Sequence, residues 1–295
     1  AAAALLALAI PAAAQGAAAA ASVRVSQIAP GYHLLSLPDA NLVVWAGEGT
    51  AMVVGVQSPA LVERARELLR TLGNPKVEYV LMLEDDRAPG YGDGGWGKDG
   101  AVTMAHEILF TRMARFARGQ DTTDAAAARR RNPLPRMGFS QVVQVYPKGE
   151  DVHLIHERAG YTNADVIIHY ENAGLLQLGH TFTMDGYPRI EVGKGGALAG
   201  IIQTADFFLN NFRNPAALEP IVPGRGPVAT VADLRAYRDM LVAVRDRVKP
   251  LVEAGKTEAE VVATRPTAEF DARWGRGPVK PEQFAAMVYQ SLAKK

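Results

Sequence analysis

Short apolar segments of strand-like length alternate along this chain with longer segments of helical periodicity. The first strand-like segments are residues 32–37, 41–45 and 51–56. Ser58 and Pro59 then precede apolar residues at helical spacing, which predicts a capped helix. Residues 77–83 are apolar except for Glu78 and include β-branched valines, which predicts another buried strand. This order of strand, helix and strand predicts a parallel βαβ unit.

The second half of the chain repeats this order of strands followed by helices. Its predicted strands are residues 142–146, 152–156, 166–170 and 175–178, and a helix is predicted over residues 196–209. A long helix begins at Val231, because Thr230 and Asp233 have the spacing of a capping box. We therefore expect a layered α/β domain over residues 31–230, with residues 231–295 forming a C-terminal helical extension packed on it.

The N-terminal residues have the pattern of an export signal. Residues 1–11 are apolar but too few to span a bilayer, and Ala12-Ala13-Ala14 before Gln15 offers an A-x-A cleavage site. We expect residues 1–14 to be a signal peptide truncated at its start, and the mature protein to be periplasmic or secreted, with no membrane span. The alternative is an alanine-rich disordered tail. Residues 15–30 are expected to form a disordered linker.

Charge and cysteine content exclude several kinds of partner and site. The formal net charge is +1, so composition gives no reason to expect nucleic acid or an acidic membrane surface as a partner. Cysteine is absent, which excludes disulfides, a thiol nucleophile and a zinc–thiolate site. Residues 120–136 contain three consecutive arginines and two prolines, and are predicted to form a flexible surface insertion.

The candidate chemistry follows the buried strand at residues 77–83. Three acids, Glu84, Asp85 and Asp86, come directly after it and precede a glycine-rich loop that contains Trp96. Open α/β folds place their binding sites beyond the carboxyl ends of buried strands. We therefore expect a cleft here, with Asp85 and Trp96 as possible contacts to a ligand.

Several motifs around this stretch resemble those of the metallo-β-lactamase fold, over about residues 32–250. They are Asn41 at the start of its strand, Ala105-His106-Glu107, Tyr187-Pro188-Arg189-Ile190 and Pro223-Gly224-x-Gly226-Pro227. The resemblance implies a four-layer αβ/βα sandwich. It also implies a dizinc hydrolase site, in which the metal ions lower the pKa of a bridging water and polarise a carbonyl.

The positions of the family's metal ligands hold other residues in this chain. The family signature T-H-x-H-x-D-H aligns without gaps from Leu83 onward. Glu84 and Asp86 then stand at the first two histidines, Ala88 at the aspartate and Pro89 at the last histidine. The later ligand positions are occupied by Tyr161, His180 and Arg225. Alanine, proline and arginine side chains do not ligate metal ions, so we expect no bound metal cofactor in this cleft.

Two functions follow from this degenerate site. In the first, the protein is not an enzyme but a binding or scaffold relative that holds a small molecule or a protein in the cleft, with Arg225 paired to Glu84 or Asp86. In the second, it is a hydrolase of ester, lactam or amide bonds with one Zn, Mn or Fe ion held by Glu84, Asp86 and His180. The first is favoured, because an acid–arginine pair balances its own charge without a metal ion.

Overall fold

Two β-sheets pack face to face, and helices cover the outer face of each. The structure is a computed structural model that describes residues 22–55, 58–83, 94–117, 134–156, 158–212 and 215–293. The predicted acids and loop at 84–93, most of the predicted insertion at 120–136 and the predicted signal peptide therefore lie outside the described residues.

The first sheet has seven strands in sequential order. They are β1 (Arg24–Ala29), β2 (Tyr32–Leu37), β3 (Ala40–Ala46), β4 (Thr50–Gly55), β5 (Lys76–Met82), β6 (Val102–His106) and β7 (Met137–Phe139). Strands β1 to β4 are antiparallel, whereas β4 to β7 are parallel. Helix α1 (Pro59–Thr71) joins β4 to β5, which confirms the predicted βαβ unit, and α2 (Glu107–Ala117) follows β6.

The second sheet has five strands in the order β12-β11-β10-β9-β8. They are β8 (Val142–Val145), β9 (Val152–Ile155), β10 (Ile167–Tyr170), β11 (Leu175–Thr183) and β12 (Ile221–Arg225). All neighbours are antiparallel except β11 and β12, which are parallel. Helix α3 (Leu198–Asn211) lies between β11 and β12 in the chain, flanked by 3-10 turns at Val192–Lys194 and Pro215–Leu218.

Four C-terminal helices complete the outer layer over the second sheet. They are α4 (Val231–Glu253), α5 (Glu258–Ala263), α6 (Asp271–Trp274) and α7 (Pro281–Ala293). The Tyr187 ring stacks on Phe284 of α7 at 4.7 Å, and the Tyr237 hydroxyl of α4 donates to the Thr181 carbonyl at 3.1 Å. None of the described helices combines the length and apolar character needed to cross a bilayer.

Three apolar cores hold these layers together. One lies between the sheets and joins residues such as Val43 and Leu81 to Leu154 and Ile168. The other two lie between each sheet and its own helices. This arrangement of helices, sheet, sheet and helices is the predicted αβ/βα sandwich with C-terminal helices.

Local sequence signals fix several helix starts as predicted. The Ser58 hydroxyl accepts from Leu61 N at 3.4 Å, with Pro59 as the first helical residue of α1. Thr230 and Asp233 form the predicted capping box at the start of α4. The structure shows a further capping box, of Thr257 and Glu260, at the start of α5. Such caps satisfy backbone N–H groups that have no partner inside the helix.

The predicted disordered linker at residues 15–30 is wrong for Arg24–Ala29, which forms the edge strand β1. It pairs antiparallel with β2, and the side chain of Val23, just before it, is buried in the core of the first sheet. Residues 23–26 alternate between apolar and polar side chains over a short stretch, which is typical of a strand. The alanine-rich run before them led to the prediction of disorder. Strands β7 and β12 were not predicted, the latter because Pro223 and Gly224 are typical of turns.

Asn41 joins the two sheets at one edge of the interior. This buried side chain, at the start of β3, donates from Nδ2 to the Pro223 carbonyl at 2.9 Å and to the Gly226 carbonyl at 3.0 Å. Both acceptors flank Arg225 at the end of β12. A single amide of the first sheet therefore fixes the segment of the second sheet that carries a candidate site residue.

We predict that Asn41→Asp lowers the free energy of unfolding by about 2–4 kcal/mol, because a carboxylate donates no hydrogen bond and leaves two carbonyls without their donor. Urea unfolding followed by circular dichroism measures the loss. The matched control is Asn211→Asp on the exposed end of α3, which should change stability by less than about 1 kcal/mol. Equal effects of the two substitutions would contradict the role of Asn41.

Candidate functional site

The end of β5 and the end of β12 meet around Gly179 and His180 of β11. A Cβ added to Gly179 would lie 3.7 Å from Leu83 Cδ1, so the residue before the predicted acids is a neighbour of β11. A Cβ on Gly224 would lie 2.8 Å from His180 N, which places the β12 backbone directly against the same point. Glu84, Asp85, Asp86, Ala88 and Pro89 themselves lie outside the described residues.

Tyr161 and His180 are in contact, although they are far apart in the sequence. Their ring centroids are 4.9 Å apart with the planes tilted by 44°. Tyr161 is buried and His180 is half-buried. Two positions that the resemblance assigns to metal ligands therefore adjoin in space, but as an aromatic pair.

Asp165 holds the loop that carries Tyr161, and the sequence reasoning missed it. Its buried carboxylate accepts hydrogen bonds from Gly160 N at 3.1 Å, from Thr162 N at 3.0 Å and from the Thr162 hydroxyl at 3.1 Å. The spacing Thr162-x-x-Asp165 is a local signal that could have identified this turn.

The start of helix α3 and the residues just before it pack against the same loop. A Cβ on Gly196 would lie 2.1 Å from the Tyr161 carbonyl oxygen, and one on Gly200 would lie 1.7 Å from the Ala159 carbonyl oxygen. Only glycine permits this approach of helix to loop. The position of Tyr161 is therefore fixed by backbone packing as well as by hydrogen bonds.

Arg225 ends β12 opposite Thr183 of β11 and forms an ion pair with Asp185. Its Nε lies 3.5 Å from Asp185 Oδ2, and its side chain is 16% exposed. The Thr183 hydroxyl donates to the other oxygen of the same carboxylate. The sequence predicted Glu84 or Asp86 as the partner of Arg225. Those residues are not described, and Asp185 was not anticipated.

Arg225 also lines a groove of about 440 Å³. The loop at residues 189–193 forms one wall, and α7 forms the other with Gln283, Met287 and Gln290. Arg189 and Glu191 form an ion pair on the loop side. The groove therefore combines apolar surface with amide groups and paired charges, and the C-terminal helices supply part of it.

Trp96 is a core residue, so the prediction that it contacts a ligand is wrong. Its side chain is 2% exposed within the core of the first sheet, and the Arg66 guanidinium lies 3.9 Å from the ring centroid. The glycines around Trp96 suggested an open loop. Instead, a Cβ on Gly94 would lie 2.8 Å from Val62 of α1, so this segment packs closely on the helix.

The described positions do not fit a dizinc centre. Arg225 has only hydrogen-bond donors, and its guanidinium sits beside Asp185 at the place where the resemblance puts a histidine ligand. Tyr161 stands at a position where the resemblance implies a histidine ligand, and its ring contacts His180. His180 is the one of these three residues with a conventional metal-ligating atom.

His106 and His156 join the two sheets next to this site. Their ring centroids are 3.8 Å apart, with the planes tilted by 35°. His106 Nδ1 accepts from Ile108 N at 3.3 Å, so Nε2 carries the proton and donates to the Ser140 carbonyl at 3.1 Å. His156 Nδ1 donates to the Asp165 carbonyl at 2.7 Å. Burial, and then the neighbouring His156, lower the pKa of His106 below its usual value.

Comparison with solved structures identifies the fold. A scan against protein-family models and a search of curated proteins found no match. A metallo-β-lactamase family protein from Thermus thermophilus is 18% identical, with a TM-score of 0.61 over 88% of this chain and 92% of its own. A metallo-β-lactamase from Pontibacter korlensis is 13% identical, with a TM-score of 0.57 over 75% and 99% of the two chains. The DIM-1 metallo-β-lactamase is 12% identical, with a TM-score of 0.55 over 75% and 97%. The chain therefore has the metallo-β-lactamase fold.

We predict that stability falls as the pH drops below about 6.5, the ordinary pKa of histidine. His106 stays neutral when folded but takes up a proton when unfolded, so the unfolded state binds more protons and acid favours it. One such group changes the free energy of unfolding by at most about 1.4 kcal/mol per pH unit. Urea unfolding between pH 7.5 and 5.5 measures the slope.

His106→Gln should reduce this slope without removing it, because burial also lowers the pKa of His33 and His169. A slope that is unchanged in His106→Gln would show that His106 titrates alike in both states.

Proposed function

We propose that this protein of the metallo-β-lactamase fold binds a small organic molecule in its cleft and does not hydrolyse it. The observation that carries the proposal is the ion pair between Arg225 and Asp185 at the end of β12. Where the family's last histidine ligand is expected, this chain has a permanent cation that already has its counter-charge.

Electrostatics argue against a metal ion beside this guanidinium. At an effective dielectric constant of about 20, a dication about 4 Å from a guanidinium is disfavoured by about 8 kcal/mol of Coulomb repulsion, part of which Asp185 offsets. Arginine does not relieve this repulsion by losing its proton, because it stays charged in proteins. A two-metal hydrolytic mechanism therefore has no support at these positions.

The groove next to Arg225 supports a binding role. Its volume of about 440 Å³ is in the range typical of small-molecule sites. Ile190, Val279 and Met287 provide apolar surface, and Gln283 and Gln290 provide amide donors and acceptors. This lining suits a small molecule with an apolar body and at least one polar group.

The competing function is hydrolysis with a rebuilt single-metal site at Glu84, Asp86 and His180. The observation in its favour is that His180 is half-buried and directly follows Gly179, which adjoins Leu83, the residue that precedes the acids. The Tyr161 ring contacts the imidazole in a tilted arrangement, with the centroids 4.9 Å apart. The two functions differ in whether His180 holds a metal ion that the protein needs for turnover.

Hydrolysis assays decide between them. Purified protein should not hydrolyse lactam, ester or amide probes above the uncatalysed rate, with or without added Zn²⁺, Mn²⁺ or Fe²⁺. His180→Ala should leave the metal content of the protein unchanged. His33→Ala, at a half-buried histidine of β2, is the matched control.

Turnover that requires a metal ion, disappears in His180→Ala and persists in His33→Ala would establish the hydrolase instead. Because the readout is activity as well as metal content, an ion bound elsewhere on the protein does not change the conclusion.

A further inference from the structure

A histidine and two carboxylates converge on the second sheet, away from the cleft. Asp151 precedes β9, His153 lies within it, and Glu171 follows β10. Asp151 and His153 are two residues apart and so face the same side. Glu171 N donates to the Asp151 carbonyl at 2.9 Å, which holds these two residues opposite each other. The cluster is at the start of β9, whereas His156 and the Tyr161 loop are at the other end.

The distances in this cluster match those between ligands of one small cation. His153 Nε2 lies 3.0 Å from Asp151 Oδ1 and 3.1 Å from Glu171 Oε2, and the ligand atoms of the three residues all lie within 4.8 Å of one another. Two atoms that each bind a zinc ion at about 2.1 Å, in tetrahedral or octahedral geometry, are about 3.0–3.4 Å apart.

The protons available to the cluster do not satisfy its acceptors. His153 Nε2 carries at most one proton, yet it faces two carboxylate oxygens. Asp151 Oδ1 is buried and accepts no hydrogen bond within the described part of the chain. Its 3.0 Å contact with His153 Nε2 therefore lacks the geometry of an N–H···O hydrogen bond. Among the described residues, His153 is also the partner of Glu171 in its ion pair. Within the described part of the chain, the two carboxylates therefore share one ion-pair partner, His153.

Neighbouring side chains hold the ligands in place. The His169 ring packs edge-on against His153, with centroids 5.7 Å apart at 88°. The Gln144 amide nitrogen lies 3.0 Å from His153 Nε2, and the amide oxygen accepts a hydrogen bond from the Tyr146 hydroxyl at 2.9 Å. A half-turn of that amide would offer its oxygen to an ion as a further ligand.

We propose that Asp151, His153 and Glu171 bind one divalent first-row transition-metal ion, with Zn²⁺ as the best fit. One imidazole nitrogen and two carboxylate oxygens form a donor set that Zn²⁺ accepts. The ion links the start of β9 to the end of β10 and so stabilises this edge of the sheet. The site is separate from the cleft and does not depend on the function proposed for it.

Metal titration tests this site. Tag-free protein, stripped with a chelator and desalted, is titrated with Zn²⁺ by calorimetry and with Co²⁺ by visible absorption. We expect one ion per chain and a higher melting temperature with Zn²⁺. Glu171→Gln, at a carboxylate that is 55% exposed, and His153→Ala should each weaken binding by at least about 10-fold.

Two control variants locate the ion. Glu63→Gln, at an exposed carboxylate of α1, should bind as the unmodified protein does, and so should His180→Ala. Glu171→Gln changes only an exposed group, so it tests the site even if His153→Ala fails to fold.

Absence of binding tighter than millimolar in the unmodified protein would overturn the proposal. Binding that survives Glu171→Gln would also overturn it. Loss of binding in His180→Ala instead would place the ion in the cleft and count against the proposed function as well.

Discussion

The Asn41 amide is the constraint on which the arrangement of the cleft depends. It reaches from β3 of the first sheet to the carbonyls on both sides of Gly224 and Arg225 in the second. Leaving buried carbonyls without a donor is costly, so the two sheets are held at one separation here. The end of β12 is fixed by this contact from the first sheet and by its parallel pairing with β11.

The cleft that results is built from groups that balance one another. Arg225 forms an ion pair with Asp185, the Tyr161 ring contacts His180, and the Asp165 carboxylate accepts hydrogen bonds from its own loop. The C-terminal helices belong to this arrangement, because α7 forms a wall of the groove beside Arg225. This groove combines apolar side chains with amide groups, and the proposed binding function rests on that lining.

The sequence predicted elements that have local signals and missed features that depend on distant contacts. Capping residues such as Ser58 and Thr230 gave helix starts correctly, because a cap is decided within four residues. Strand β12 was not predicted because its proline and glycine are typical of a turn. It becomes a strand through its parallel pairing with β11. Trp96 looked exposed among glycines but lies under Arg66.

The candidate site shows the same division. The resemblance named Tyr161, His180 and Arg225, and the structure brings Tyr161 and His180 into contact. Asp185 as the partner of Arg225 could not be predicted, because the two are 40 positions apart and adjoin only when β11 pairs with β12. The cluster of Asp151, His153 and Glu171 likewise depends on the register of β9 against β10.

The measurement that tests the account most directly is an anomalous difference map at the zinc absorption edge, from crystals grown with Zn²⁺. We expect a peak among Asp151, His153 and Glu171, and none within bonding distance of His180. A peak at His180, with density joining it to the acids after β5, would contradict the metal-free cleft and show that the family's chemistry had been rebuilt there.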